Sequence, residues 1–332
     1  MHATTMTLPT AQLADLYAPV QADLAAVERV FDAEVRSDVA FINELSDTVR
    51  SYRGKMLRPA LLLLTAQASG EVTPAHHTLG AVVEMVHMAT LVHDDVLDEA
   101  DERRRRPTVR AVAGNVAAVL LGDYLISHAF HLCSSLNDQD ASRRIGATTN
   151  IVCEGELLQN LHRHNWKLTE AEYYDIIGRK TATLTAVACE LGARFAGAER
   201  TVVDAMASFG HSVGLAFQIV DDTLDIVGDP REVGKTLGLD ASLGKLTLPV
   251  LAALAEADAT TAAEIRGALG ERRSASPIRL RELIETSRGI EYANNVAREH
   301  VVRAVASLAA VPPSDARSSL SHLAEFVVMR KL

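Results

Sequence analysis

The stretch LGAVVEMVHMATLVHDDVLD, residues 79–98, decides the fold class of this chain. Drawn as an α-helix, residues 79–92 are apolar on most faces, which predicts a long helix buried in a protein core. Its end is different, because Asp94, Asp95 and Asp98 place three carboxylates at the carboxyl end of an apolar helix. The stretch therefore predicts a helical protein with a polar site at the end of a buried helix.

The same periodicity runs through the rest of the 332 residues. Leu13, Leu16, Val20, Leu24, Val27 and Val30 predict an amphipathic N-terminal helix. Further helices are expected at about 116–136, 141–162, 170–195, 202–225, 248–257, 278–286 and 289–309, and from 314 onward. Because there is no strand alternation and no Gly/Ser-rich linker, we predict one large all-α bundle over 1–332, with 1–10 disordered.

Composition excludes some classes of function. The net charge of -10 argues against general affinity for nucleic acid. Cys133, Cys153 and Cys189 are widely spaced without a CxxC pair, which is typical of buried thiols in a reducing compartment. No signal peptide is evident, and no apolar run reaches the roughly 20 residues that span a bilayer. We expect a cytoplasmic protein without a transmembrane segment.

Two acid clusters carry the chemistry. Asp94 and Asp98 are four residues apart on one helix face, about 6 Å along the axis, where they repel each other and the helix dipole disfavours anions. Asp221 and Asp225 repeat the pattern. One such cluster is as often a solvated helix end, but two at the ends of apolar helices indicate a site for divalent metal and phosphate.

Cations with matching spacing surround these acids. Lys55 and Arg58 precede an apolar helix, and four arginines, 103–106, follow Asp98 directly. Such a run is more often a solvated or nucleic-acid-binding patch, but beside an acid cluster in an acidic chain it indicates a bound anion. Later donors are Lys180, Thr181, Gln218, Lys235 and Lys245.

Together these motifs resemble the trans-polyprenyl diphosphate synthases, and within them the long-chain octaprenyl and heptaprenyl branch. The resemblance rests on GKMLRP (54–59), EMVHMATLVHDDVLDEADERRRRPT (84–108), LGDYLISHAF (121–130), EGELLQ (154–159), GRKTATL (178–184), GLAFQIVDDTLDIVGD (214–229) and GKTLGLDASLGKLTLP (234–249). The family's first motif has a second Gly and an Arg where this chain has Arg53 and Met56. That departure leaves Lys55 and Arg58 in place.

The resemblance implies an isoprenoid synthase fold around a central cavity, a homodimer, and Mg²⁺, three ions per active site when substrate is bound. It implies that Asp94, Asp98, Asp221 and Asp225 bind the metal and act in catalysis with Arg103 and Lys180. Arg103, Lys180, Thr181, Gln218, Lys235 and Lys245 would hold an allylic diphosphate, farnesyl or geranylgeranyl diphosphate being expected. Lys55, Arg58, His87 and Arg104 would hold isopentenyl diphosphate, although His87 alone is more typical of a core histidine.

Product length should depend on the helix face behind the first cluster. A growing tail would pass Thr90 and Ala89, then Val86 and Met85, about 5.4 Å per turn, and continue toward Cys133 with its neighbours. In the family, bulky aromatics just before the first Asp stop the tail early. Small residues here favour a long product of about six to ten isoprene units.

Other classes remain open at this point. A short-chain farnesyl or geranylgeranyl diphosphate synthase would share every motif. A class I terpene cyclase would lack the first motif and the second acid cluster. An HD-type phosphohydrolase, prompted by His93-Asp94, would need His76, His77 and His87 as further ligands. An inactive regulatory subunit would not need intact acid clusters. The sequence leaves open the primer, the exact length, the pathway, any heteromeric partner and the role of His93.

Overall fold

Helices make up nearly all of the described chain. The computed structural model describes residues 10–51, 54–228, 240, 243–270 and 277–329, so Lys235 lies outside the described residues, as do residues 1–9 of the stretch predicted to be disordered. The helices are α1 (Thr10–Leu16), α2 (Gln21–Glu34), α3 (Ala40–Ser51), α4 (Leu57–Ser69), α5 (Pro74–Leu97), α6 (Val109–Ser134), α7 (Gln139–Leu161), α8 (Glu170–Ile177), α9 (Thr183–Phe195), α10 (Arg200–Val227), α11 (Leu248–Glu256), α12 (Ala259–Gly270), α13 (Pro277–Thr286), α14 (Gly289–Ser307) and α15 (Asp315–Met329).

The core lies around the stretch that decides the fold. Helix α5 packs against α2, α4, α6 and α9, and α10 packs against α9 and α14. Leu79, Val83, Met85, Val86 and Val92 are fully buried. The prediction of a buried helix that ends in carboxylates is confirmed, and burial of its apolar faces stabilises it far more than helix propensity does.

Two predicted helices are interrupted. The N-terminal one divides into α1, a 3₁₀ turn at Ala18–Val20 and α2, because Pro19 cannot donate the hydrogen bond that would continue the first helix. The one predicted at 170–195 contains a single π-helical turn, Gly178–Ala182, between α8 and α9. Such turns occur often at functional sites, and this one carries Lys180 and Thr181.

The arginine run forms a hairpin that the sequence did not predict. Strand β1 (Glu102–Arg103) pairs antiparallel with β2 (Arg106–Pro107). The two linking residues, Arg104 and Arg105, have φ of 51° and 61°. Left-handed backbone at both positions is the geometry of a two-residue hairpin turn that usually takes Asn or Gly, so this turn holds strain of a kind that clusters at functional sites.

The sequence predicts no segment that could span a bilayer, and helix α6 is an exception to that prediction. By length and composition it is apolar enough to cross a bilayer, a test that core helices of soluble proteins also pass. It bends at Gly114, where φ is 84°.

The cysteines need one correction. Cys133 and Cys189 are buried as predicted, whereas Cys153 is exposed on α7. It lies one turn before the exposed Leu157, so the helical face that carries Cys153 points away from the core.

Candidate active site

The two acid clusters face each other. Asp94 lies in the last turn of α5, Asp98 caps that helix, and Asp221 and Asp225 lie in the last turns of α10. Lys245 Nζ is 2.8 Å from Asp98 Oδ2 and 3.4 Å from Asp240 Oδ1. The Asp240 backbone N–H donates to Asp225 Oδ2 at 3.1 Å. A continuous chain of polar contacts therefore joins the first cluster to the second.

Lys180 belongs to the same group. From the π-helical turn its Nζ lies 3.6 Å from Asp94 Oδ2 and 2.5 Å from Glu156 Oε2, and it donates to Gln159 Oε1 at 2.9 Å. Burial alone would lower the pKa of Lys180, but the charges of Asp94 and Glu156 outweigh it and raise the pKa above its usual range. Lys180 is therefore a half-buried, charged ammonium beside the first cluster.

Close backbone packing places that ammonium. A Cβ at Gly155 of α7 would lie 2.6 Å from the Lys180 backbone nitrogen, so only glycine allows the π-helical turn to approach α7. Burial raises the pKa of Glu156, and Asp94 raises it further, while Lys180 lowers it. Asp94 and Glu156 therefore both pair with the single ammonium group of Lys180.

The second cluster has its own hydrogen-bond chain. Tyr173 Oη donates to Asp222 Oδ2 at 2.7 Å, Gln218 Nε2 donates to Asp222 Oδ1 at 2.8 Å, and Thr181 Oγ1 donates to Gln218 Oε1 at 2.7 Å. Asp222 is 4% exposed. Burial and then the charge of Asp240 raise the pKa of Asp222 to about 7, against the opposing effect of the Tyr173 and Gln218 hydrogen bonds. This chain fixes the orientation of the Gln218 amide.

Arg103 pairs with an acid in this structure. Its Nε and Nη2 lie 2.9 and 2.8 Å from Asp95 Oδ1. Asp95 is 1% exposed, and its Oδ2 has no hydrogen-bond partner within the described ranges. Burial raises the pKa of Asp95 in spite of Arg103. Holding a diphosphate stays a prediction for Arg103, and in this structure its guanidinium orients the middle carboxylate of the first cluster.

A second basic group lies beside α5. A Cβ at Gly54 would lie 2.7 Å from Arg104 Nη1, so that guanidinium packs against the GKMLRP segment. Burial lowers the pKa of His87 well below its usual range, and Arg58, Arg104 and Arg103 lower it further, which keeps His87 neutral. Burial also lowers the pKa of Arg58, while Glu84 raises it. Arg58, Arg103 and Arg104 are therefore all near enough to His87 for their charges to affect it.

Lys55 points elsewhere in this structure. It is exposed, and its Nζ lies 5.9 Å from the centre of the Phe326 ring on α15. A cation at this distance is attracted by the ring face. Lys55 is therefore close to the basic group in sequence while its ammonium contacts the C-terminal helix.

The residues predicted to control product length are in the core. Met85, Val86, Ala89 and Cys133 are all 0% exposed. Thr90 is half-buried, and its hydroxyl donates to the His87 carbonyl at 2.7 Å. Helix α5 carries the predicted tail-lining face and packs against α6, which carries Cys133, and the four buried residues belong to one hydrophobic core.

The histidines do not assemble as an HD-type site would require. His76 contacts the Gly192 carbonyl at 3.1 Å, and His77 contacts Asp23 at 2.7 Å. His93 turns toward α6, where its Nε2 lies 3.1 Å from the Val119 carbonyl and its ring packs on Gly122. The role left open for His93 is thus contact between α5 and α6.

The oxygen donors fit magnesium that is partly coordinated by substrate. Among the described residues, no three His, Cys, Asp or Glu side chains converge on a metal position. Mg²⁺ is commonly held by one or two carboxylates together with phosphate oxygens and water. Asp94 and Asp98 supply such carboxylates, and the cations now paired with them neutralise charge that a metal would neutralise.

Several site residues were missed from the sequence. Glu156 and Gln159 lie in the EGELLQ motif, three apart on one face of α7, and that spacing next to a matched motif was the available indication. Asp240 lies in the GKTLGLDASLGKLTLP motif. Tyr173 carries no such local pattern, and neither does Arg163, whose Nη2 lies 3.0 Å from Asp98 Oδ1.

Comparison with known proteins agrees with this geometry. The family model for polyprenyl synthetase matches residues 39–287, about three-quarters of the chain. The chain belongs to this family, and it is a prenyltransferase, as the resemblance implied. The terpene cyclase and HD-type alternatives do not fit this membership.

Individual relatives match over nearly their whole length. The chain is 34% identical over 311 residues to octaprenyl diphosphate synthase of Escherichia coli, covering 93% of this chain and 96% of that protein. It is 36% identical to the geranyl-diphosphate-specific all-trans-nonaprenyl-diphosphate synthase of Rhodobacter capsulatus, covering 95% and 97%. A polyprenyl synthase from Caulobacter crescentus, crystallised with calcium and isoprenyl diphosphate, superimposes with a TM-score of 0.92 at 36% identity, covering 96% of this chain and 98% of that one. The helical architecture is therefore the isoprenoid synthase fold.

Proposed function

We propose that this protein condenses isopentenyl diphosphate with an allylic diphosphate, farnesyl or geranylgeranyl diphosphate, to make a long-chain all-trans polyprenyl diphosphate. The observation that carries the proposal is that two acid clusters face each other and are linked by Lys245 and Asp240, with the half-buried charged Lys180 beside them. A diphosphate between the clusters would contact acids only through metal ions, and it would contact the lysines directly. That arrangement suits an allylic diphosphate better than a neutral ligand.

The first step is loss of diphosphate from the allylic carbon. Bound magnesium ions, proposed to be three, would neutralise the charge that develops on the leaving diphosphate. Asp94, Asp98, Asp221 and Asp225 hold those ions in this proposal. Lys180 and Lys245 bind leaving-group oxygens, and because ion pairs already orient both ammonium groups, little reorganisation is needed as charge develops.

Neutral donors complete the allylic site. The Thr181 hydroxyl donates directly to the Gln218 amide oxygen, and the Gln218 amide nitrogen donates to Asp222, which fixes the direction of the amide. Lys235, outside the described residues, and Arg103 are proposed as further contacts on the resemblance. Arg103 would contact the diphosphate while its guanidinium stays paired with Asp95.

The second diphosphate belongs to isopentenyl diphosphate. Arg58, His87 and Arg104, with Lys55 near them, form the second basic group, and a neutral His87 can donate one hydrogen bond without adding charge. The double bond of isopentenyl diphosphate attacks the allylic cation, and the released diphosphate takes the proton. The buried apolar side chains behind the clusters exclude the water that would hydrolyse the cation.

The tail extends along α5. We propose that it passes Thr90, Ala89, Val86 and Met85 and reaches the region of Cys133, where small and flexible side chains allow it to run deep. This supports a long product, and a short-chain product remains the competing outcome. The α5 residues act as a ruler in this proposal because they lie at successive turns behind Asp94.

We also propose a homodimer. Beyond its bend at Gly114, helix α6 exposes a stripe of apolar side chains, in which Val116 is 76%, Leu120 61% and Val119 40% exposed. Exposed apolar stripes of this kind are typical of interaction surfaces, and a second copy of α6 would cover this one. A cytoplasmic location is proposed with it and rests on the sequence alone.

We propose that the whole chain is one domain. Helix α15 packs against both α4 and α1, so the two ends of the described chain contribute to one structure.

The test is a direct assay. Purified protein is incubated with Mg²⁺, farnesyl diphosphate and labelled isopentenyl diphosphate, and the products are dephosphorylated and separated by length. Labelled long-chain polyprenols are expected. Hydrocarbon made from farnesyl diphosphate alone, phosphate release without elongation, or no reaction would each overturn the proposal, the last in favour of a regulatory subunit.

A further inference from the structure

Asp98 shares its two carboxylate oxygens between two cations. Oδ1 is 3.0 Å from Arg163 Nη2, and Oδ2 is 2.8 Å from Lys245 Nζ. Arg163 lies between α7 and α8, outside every motif that carries the family resemblance. The two side chains of the Arg163–Asp98 pair are only 21% and 16% exposed, so solvent screens their attraction weakly.

The two cations differ in what else they contact. Lys245 also has Asp240 at 3.4 Å, so it can leave Asp98 and remain paired. Arg163 pairs only with Asp98 in the part of the chain that the structure describes, and its Nε is buried without a hydrogen-bond partner there. Separating Arg163 from Asp98 would leave a largely buried charge unpaired, which is costly. Oδ2 is therefore the oxygen that can be released.

The backbone beside these two cations is joined. The His164 N–H donates to the Gly244 carbonyl at 2.8 Å. Gly244 has φ of 70°, and any Cβ there would overlap the His164 ring. Because His164 follows Arg163 and Gly244 precedes Lys245, this contact fixes the distance between the segments that carry the two cations.

We infer that Arg163 is a positioning residue, which holds Oδ1 of Asp98 so that Oδ2 faces an incoming divalent cation while Lys245 transfers to Asp240. The inference rests on the proposed metal-binding role of Asp98. Side chains that orient a metal ligand in this way change metal affinity by about 10–100-fold when they are removed. No local sequence pattern indicates this role, because the Arg163–Asp98 contact joins residues that are 65 positions apart.

The experiment compares Arg163→Met and Arg163→Lys with a matched control, Arg200→Met, which removes an exposed arginine paired with Asp204 on α10. The Mg²⁺ concentration for half-maximal condensation should rise about tenfold in Arg163→Met, while kcat at saturating Mg²⁺ stays within about threefold. Arg163→Lys keeps the charge but loses the planar fork, so its rise should be smaller. Arg200→Met should match the unaltered protein.

A second readout does not depend on turnover. Mn²⁺ is titrated calorimetrically into the protein with inorganic pyrophosphate present, and Arg163→Met should weaken binding by about the same tenfold factor. An unchanged metal requirement and unchanged Mn²⁺ binding in folded Arg163 variants would overturn the inference. If Arg163→Met does not fold, the Mg²⁺ requirement and the Mn²⁺ affinity of Arg163→Lys test the inference instead. Failure of the unaltered protein to condense the substrates would instead overturn the proposed function, and Mn²⁺ binding would still test Arg163.

Discussion

Asp222 should make the stability of this protein fall as pH rises from about 4 to about 7. Its carboxylate is 4% exposed, and burial, followed by the charge of Asp240, raises its pKa to about 7. An aspartate in an unfolded chain titrates at about 3.9. The folded state therefore binds this proton more tightly than the unfolded state does.

The sign and size follow from proton linkage. Between about pH 4 and pH 7 the folded protein keeps a proton that the unfolded chain has lost, so the free energy of unfolding decreases as pH rises through that window. A pKa difference of about 3, at about 1.4 kcal/mol for each pKa unit, corresponds to on the order of 4 kcal/mol. This is the opposite of the usual contribution of a salt-bridged aspartate.

Asp222→Asn removes the ionisation while keeping the shape. Its amide oxygen can still accept from Tyr173, and Gln218 can turn its own amide to match. Urea unfolding is measured from about pH 4.5 to about pH 8 with a metal chelator present. The variant should gain stability relative to the unaltered protein as pH rises, reaching a few kcal/mol above about pH 7.

A matched control separates this effect from general charge removal. Asp204→Asn alters a carboxylate that is 56% exposed and paired with Arg200, and it should follow the pH profile of the unaltered protein. A stability difference between Asp222→Asn and the unaltered protein that does not change with pH would refute the reasoning.

The remaining predictions concern the metal ligands, the product and the dimer. Asp94→Ala and Asp221→Ala should each lower kcat at least about 100-fold with an unchanged circular dichroism spectrum, and near-normal activity in both would contradict the metal assignment. Ala89→Phe should shift the chromatographic product profile to shorter chains, because an aromatic ring fills a fully buried position; an unchanged profile would contradict the proposed ruler. Leu120→Glu should give a monomer by light scattering, while Val302→Glu, equally exposed on α14, should not; a dimer in both would exclude the α6 interface.

Local patterns in the sequence determined the fold class and the acid clusters. Residues 79–98 show a buried helix and its carboxylate end within 20 positions, because helical periodicity repeats every 3.6 residues or so. Local reasoning failed where the chain departs from regular helix. The π-helical turn at 178–182 depends on close packing against Gly155, and the hairpin at 102–107 forms in a run of arginines that lacks the usual turn residues.

Only the tertiary structure decided which charges meet. Lys245 and Asp98 are 147 residues apart, yet their side chains are 2.8 Å apart. The sequence predicts that Arg103 contacts an anion, and only the fold shows that its guanidinium pairs with Asp95, eight residues before it. The motifs identified which acidic and basic residues are present, because residue types can be read directly from the sequence. Their pairing, and the pKa of each, depend on burial and on distances that exist only after the helices have packed.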